Sequence, residues 1–283
     1  MHDRLSFLYD CNCDACKAAP VKATLAPGKF KRLLITVEKA FKRLHKNGKY
    51  SPDTITEVKE YADLINETAT IFKAAITDNV IPDEMLTRLQ DDIYLFSAFK
   101  THAQLFEASR QLLTDEGTVK PFSAFAKDVA TMKEDYNRTY LEAEYQFAVT
   151  SSQMAAKWAK TSDRYYLQYR TAKDDRVRES HQALDSITLP VDDSFWLYYY
   201  PPNGWRCRCN AVQVSKQKYE ASNSETANKA GEAATTEIGK DNKNKLEIFR
   251  FNPGMQKVIF PPQHPYSKVK GAKQVKDSIS NAN

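Results

Sequence analysis

Glycine is scarce in this chain: 8 residues in 283. So few flexible positions argue against a loop-rich or repeated-β architecture. Long apolar runs are missing too, and nothing approaches the ~20 consecutive apolar residues that a bilayer span requires. The first residues, MHDRLSFLYDCNCDAC, carry an early Asp3 and no extended apolar segment, so no secretory leader is expected. Cysteine is limited to 5 residues, an odd number in C-x-C-x-x-C and C-x-C spacings. That pattern does not make a disulfide framework, and it points to a reducing compartment with free thiols or metal ligands. Charge of one sign is nearly balanced, at a net +5, with no concentrated basic run of the kind a nucleic-acid binder presents.

What is present is an amphipathic helical pattern. With 42% hydrophobic and 27% charged residues the composition is that of a globular protein. From Lys29, the residues Phe30, Leu33, Leu34, Val37, Phe41 and Leu44 share one face until Gly48. Ser51-Pro52 signals a second helix, with a narrow seam through Ile55, Val58, Ala62, Ile65, Ala69, Phe72 and Ile76. Pro82 opens a third, and a fourth from Pro121 carries an aromatic stripe that reaches Trp158. If unbroken, that last helix would hold about 38 residues and span roughly 55 Å. His45 and His102 lie on helices without partner spacing and are read as structural or surface residues.

The expected fold class is therefore α+β: an N-terminal bundle of about four helices over 21–161, a small loop-rich α+β module over 162–215, and a C-terminal β-hairpin. Residues 1–20 form a separate cysteine-containing segment. Residues 216–246 are polar and read as a solvated helix or linker. Strand, turn and strand are expected from Ile248-Phe249-Arg250-Phe251, Asn252-Pro253-Gly254 and Lys257-Val258-Ile259-Phe260, followed by a loose polar tail within 247–283.

The module concentrates the chemistry-bearing residues. Arg170, Asp174, Asp175, Arg176, Arg178 and His181 fall close together, and Asp185 follows four residues after His181, where it could hold the ring. An enzyme would use such a set as base, orienter and anion clamp. The absence of a nucleophile or of a second carboxylate at catalytic spacing favours an internal ion-pair network instead. Cys207 and Cys209, alternating on an expected strand, point to one face and with His181 could supply three zinc ligands. Two buried thiols packed against Trp196 and Trp205 is the other reading. A second candidate metal cluster is Cys11, Cys13 and Cys16, against the alternative of reduced thiols in a frayed terminus. A zinc deaminase is excluded, because His181-Gln182-Ala183 lacks the required Glu and Cys207-Arg208-Cys209 has the wrong spacing.

Taken in order, Tyr169-Arg170-Thr171, Asp175-Arg176-Val177-Arg178-x-x-His181, Leu184-Asp185, Leu189-Pro190, Pro201-Pro202-Asn203-Gly204-Trp205 and Cys207-Arg208-Cys209 resemble the phage Mu F-like minor head proteins, also called the phage head morphogenesis domain family. Ser186 departs from the pattern, since the family usually places Gly after that Asp. The resemblance implies a non-enzymatic, low-copy head protein of a tailed phage or prophage. Such a protein associates with the portal and capsid proteins and resides in the virion head, or in the host bacterial cytoplasm during assembly. Some members are fused to C-terminal toxins, for which residues 216–283 are too slight. No membrane partner is implied, and packaged DNA would tolerate the mildly basic surface. A metal-dependent enzyme or a DNA-binding adaptor built on His181, Cys207 and Cys209 is the alternative.

Overall fold

A computed structural model describes residues 2–9, 27–76, 79–239 and 241–282. Leu33, Val37, Ala40, Phe41 and Leu44 form the buried stripe of helix α2 (Pro27–Asn47), which follows the short helix α1 (His2–Tyr9). Gly48 ends α2 at φ +65°, donating its N–H back to Leu44 O at 3.1 Å, a left-handed stop that costs glycine nothing. The Ser-Pro signal at 51–52 starts only a 3₁₀ turn (Pro52–Thr54), because the Ser51 hydroxyl bonds the Asp53 carboxylate rather than a backbone N–H. Helix α3 (Lys59–Lys73) begins later. Its buried face is wider than the expected seam, adding Tyr61, Leu64, Thr68 and Ile71, because α2 covers one side and α4 (Asp83–Ser109) the other.

Helix α4 is the axis of the molecule. From Phe96 to Leu105 every residue but Phe99 is buried, including Lys100, His102 and Gln104. The long helix expected after Pro121 is not continuous. It runs as α5 (Phe122–Asp128), α6 (Ala130–Glu134), a single π turn (Asp135–Thr139) and α7 (Tyr140–Trp158), with a kink at Val129 (φ −96°, ψ 1°). Tyr136 and Tyr140, four residues apart and therefore on one face, are both buried in the core, Tyr136 within this π turn and Tyr140 just after it.

The polypeptide after Trp158 forms a three-stranded antiparallel sheet with order β2–β1–β3. Its strands are β1 (Tyr165–Arg170), β2 (Thr188–Pro190) and β3 (Asn210–Ser215), with Leu167 opposite both Leu189 and Gln213. Two single-turn helices, α8 (Glu179–Gln182) and α9 (Phe195–Tyr198), cross between the strands. Only the single turn α8 surrounds His181, and the strand expected to carry Cys207 and Cys209 starts only at Asn210. The class is α+β, mostly helical with this one small sheet.

The C-terminal hairpin is corrected. Residues 247–260 hold a 3₁₀ turn (Glu247–Phe249) and a helical turn, α11 (Pro253–Gln256), which comes after α10 (Ser224–Ala234) in the polar stretch. The N–H groups of Ile259 and Phe260 bond the Asp92 carboxylate at 2.8 and 3.0 Å rather than a neighbouring strand. Phe249, Phe251, Ile259 and Phe260 are buried in the helical core, Phe260 stacked on Phe96 at 3.7 Å between centroids. Their near-alternation satisfied a strand template, but helices, not a second strand, receive them. Asn252 caps α11 by accepting from Gly254 and Met255 N–H, and a Cβ on Gly254 would collide with the Trp158 side chain. The tail is also ordered: α12 (Ala272–Ala282) buries Val275 and Ile279, one turn apart, against α4. Among the described residues no helix is long and apolar enough to cross a membrane.

Two hydrophobic cores result. The larger lies among the helices and the segments from Phe249 onward; the smaller lies under the sheet. Each takes one residue from the other half: Trp205 of the module sits in the helical core, and Met154 of α7 sits in the module's.

Candidate functional site

His181 is carried by α8, and Cys207 and Cys209 by the loop that leads into β3. All three are buried, and both sulfurs approach one ring nitrogen: Nδ1 lies 3.7 Å from Cys207 Sγ and 3.6 Å from Cys209 Sγ. Both cysteines are free thiols. Nε2 of the same ring is buried and has no partner among the described residues. The strand that was to align the two thiols begins after them, so the loop aligns them instead.

The loop is held from outside the cluster. Arg178, immediately before α8, donates from Nη2 to Trp205 O at 2.6 Å, and its guanidinium lies 3.3 Å from where a Cβ on Gly204 would stand. Gly204 there has φ +156°, so the loop passes the arginine with no side chain between. Arg208 makes a two-pronged pair with Asp174, Nη1 to Oδ2 at 2.6 Å and Nη2 to Oδ1 at 2.5 Å. The Arg208 bonds hold the Asp174 carboxyl down to about 2. The buried thiols are driven apart: the bond from Cys209, with His181 and Arg178 alongside, draws Cys207 well below the usual thiol range. The same bond, together with burial, pushes Cys209 up. Arg176, Arg178, Arg206 and Arg208 line a small cleft beside the three donors.

Other expected residues take different places. Asp185 does not hold His181; its Oδ1 accepts from Thr171 N–H at 2.9 Å and Thr171 Oγ1 at 3.0 Å. Burial works to raise its pKa, but these bonds, with Ser186 and Lys173 on the other oxygen, leave it below the ordinary aspartate range. Asp175 is exposed, and the pairing falls to Asp174 one residue earlier; Arg176 stands 3.7 Å from it. Arg170 is exposed and bonds Gln168. Pro202 is buried and follows Pro201 through a cis peptide bond. Trp205 stacks on Tyr9 at 4.9 Å and meets Phe147 and Phe249 edge-on, not the thiols. Ser186 occupies the left-handed region at φ +69°, which is the conformation that favours glycine. Cys11, Cys13 and Cys16 lie outside the described residues.

A second polar cluster escaped the sequence reading. Lys100 and Glu144, 1% and 0% exposed, pair at 2.7 Å in the middle of the helical core. Tyr9 and Tyr266 donate to the other carboxylate oxygen at 2.6 and 2.9 Å, and Tyr9 also bonds His264 at 3.0 Å. Four distant segments are tied at one point. Its only sequence signal is that Lys100 and Glu144 interrupt apolar helical stripes, after Phe96 and after Tyr140 respectively.

Together these features define a loop-rich module fastened internally by ion pairs and a histidine–dithiol cluster, with its Trp205 seated in the helical core. Residues 117–212 match the family model described as "Phage Mu protein F like protein", so about a third of the chain is similar to that family. The "Putative capsid assembly protein F" of Escherichia phage Mu is 43% identical over 61 residues, 21% of this chain and 14% of that protein. The "Mu-like prophage FluMu F protein" of Haemophilus influenzae is 29% identical over 113 residues, 39% of this chain and 27% of that protein. The chain thus spans less than a third of the length of these curated relatives. No solved structure matches it significantly.

Proposed function

We propose that this chain is a capsid-assembly protein of a tailed phage or prophage, acting through protein contacts and not by catalysis. The observation that carries the reading is the Mu F-like match across residues 117–212, one relative of which is named for capsid assembly. The charged residues of the module support a fastening role: Asp174, Arg208, Asp185 and Arg178 are committed to one another or to the backbone, leaving no free acid and base at catalytic spacing among them. In this reading the protein joins the portal and shell during head assembly in the host cytoplasm and stays with the virion head. Packaged DNA is a neighbour it tolerates and does not read.

The test is co-purification. A tagged chain, produced in cells assembling the phage, should sediment with portal and capsid shells, and heads assembled without it should be defective. Absence from both fractions overturns the proposal.

A further inference from the structure

A neutral imidazole nitrogen has one lone pair and accepts from one thiol at a time. Here two thiols converge on Nδ1 of His181, at 3.6 and 3.7 Å, and all three donor atoms lie within 4.8 Å of one another. Hydrogen bonding alone leaves one of those approaches unused. A tetrahedral zinc ion explains both, because Zn–S of about 2.3 Å and Zn–N of about 2.05 Å give a nitrogen-to-sulfur edge of about 3.6 Å. His181, Cys207 and Cys209 are 2%, 4% and 4% exposed, so the donors are already withdrawn from bulk water. They are also pre-positioned from outside, by the Arg178 bond to Trp205 O and the Asp174–Arg208 pair.

We propose that His181, Cys207 and Cys209 bind one zinc ion, whose fourth position opens into the arginine-lined cleft and holds a single water. Two thiolates balance the charge of the ion, so the site is electrically satisfied without a further acid. The cleft beside the donors has a volume of about 10 Å³, and one water requires about that much. The arginines around it make the open position attractive to a small anion in exchange for the water. The ion would tie α8 to the loop before β3 in a module whose own core is small. The inference stands on this geometry and holds whether or not the chain assembles capsids.

The experiment uses the full chain with Cys11, Cys13 and Cys16 changed to Ser, which removes the N-terminal thiols. Metal analysis should find one zinc per chain. Cobalt substitution should produce thiolate-to-cobalt charge-transfer bands and the strong visible bands of a four-coordinate site, and azide should shift the visible bands. Adding Cys207→Ser or Cys209→Ser should at least halve the charge-transfer intensity or abolish binding. Circular dichroism of each apo variant before metal addition separates lost binding from lost folding. A folded triple variant that takes up neither metal overturns the site, as does a mass lower by two hydrogens, which would mean a Cys207–Cys209 disulfide. Cobalt bands indifferent both to azide and to a rise in pH that would ionise the bound water overturn the open fourth position.

Discussion

Replacing Lys100 by Met tests the charge pair at the centre of the helical core. Methionine matches the stem of lysine but removes the cation that lies 2.7 Å from Glu144 Oε2. Lys100 itself is strained by its surroundings: burial lowers its pKa, and Glu144 opposes that. Glu144, 0% exposed, would keep only the Tyr9 and Tyr266 hydroxyls on its other oxygen. Breaking one side of a buried pair leaves an uncompensated charge and costs about 3–5 kcal/mol. That is at least a fifth of the roughly 5–15 kcal/mol by which a domain is stable. The double variant Lys100→Met with Glu144→Gln removes both charges while keeping an oxygen for the two phenols. It should return to within about 2 kcal/mol of the parent, because a neutral pair carries no ionic desolvation penalty. Urea unfolding followed by tryptophan fluorescence reads both variants, Trp205 being part of the same core. A single variant costing less than about 1 kcal/mol, or a double variant no better than the single, would refute the reasoning.

Three further outcomes follow from particular residues. Trp205→Ala should cost about 3–5 kcal/mol, the range for deleting a buried large aromatic, and should make the 203–209 loop cleavable by protease; an intact, fully resistant loop would mean the indole does not anchor it. Ser186→Gly should raise stability by about 1 kcal/mol, since a left-handed serine is strained by more than the entropy glycine adds; a lower unfolding midpoint would count against the strain. His102 is held near a pKa of about 4 by burial, with Nδ1 accepting from Tyr50 OH and Nε2–H donating to Lys270 O. Its folded pKa lies below the unfolded 6.5, so its contribution is complete above pH 6.5 and is lost as pH falls towards 4, about 3 kcal/mol in all; His102→Gln should flatten stability across that window, and an unchanged slope would exclude His102 as the cause.

The helical stripes were legible because burial in a helix repeats every three to four residues, and Leu33, Val37, Phe41 and Leu44 obey that period. The module's motif was legible for another reason: its rare residue types occur in a fixed order, which needs no coordinates to read. The hairpin failed because Phe249, Phe251, Ile259 and Phe260 mark only that the segment is buried, not what it is buried against. Asp185 failed as the partner of His181 because a separation of four places two residues together only on a continuous helix, and α8 ends at Gln182.

What the sequence alone determined is the α+β class, the resemblance to the Mu F-like proteins, and the candidacy of the trio His181, Cys207 and Cys209, because local periodicity and residue order carry that information along the chain. Tertiary structure alone decided that the two thiols converge on one nitrogen, that Asp174 and not Asp175 holds Arg208, and that Lys100, Glu144, Tyr9 and Tyr266 meet. Those contacts join residues up to 257 positions apart. A chain records each partner separately, and only packing, by excluding water from around them, compels such groups to find one another.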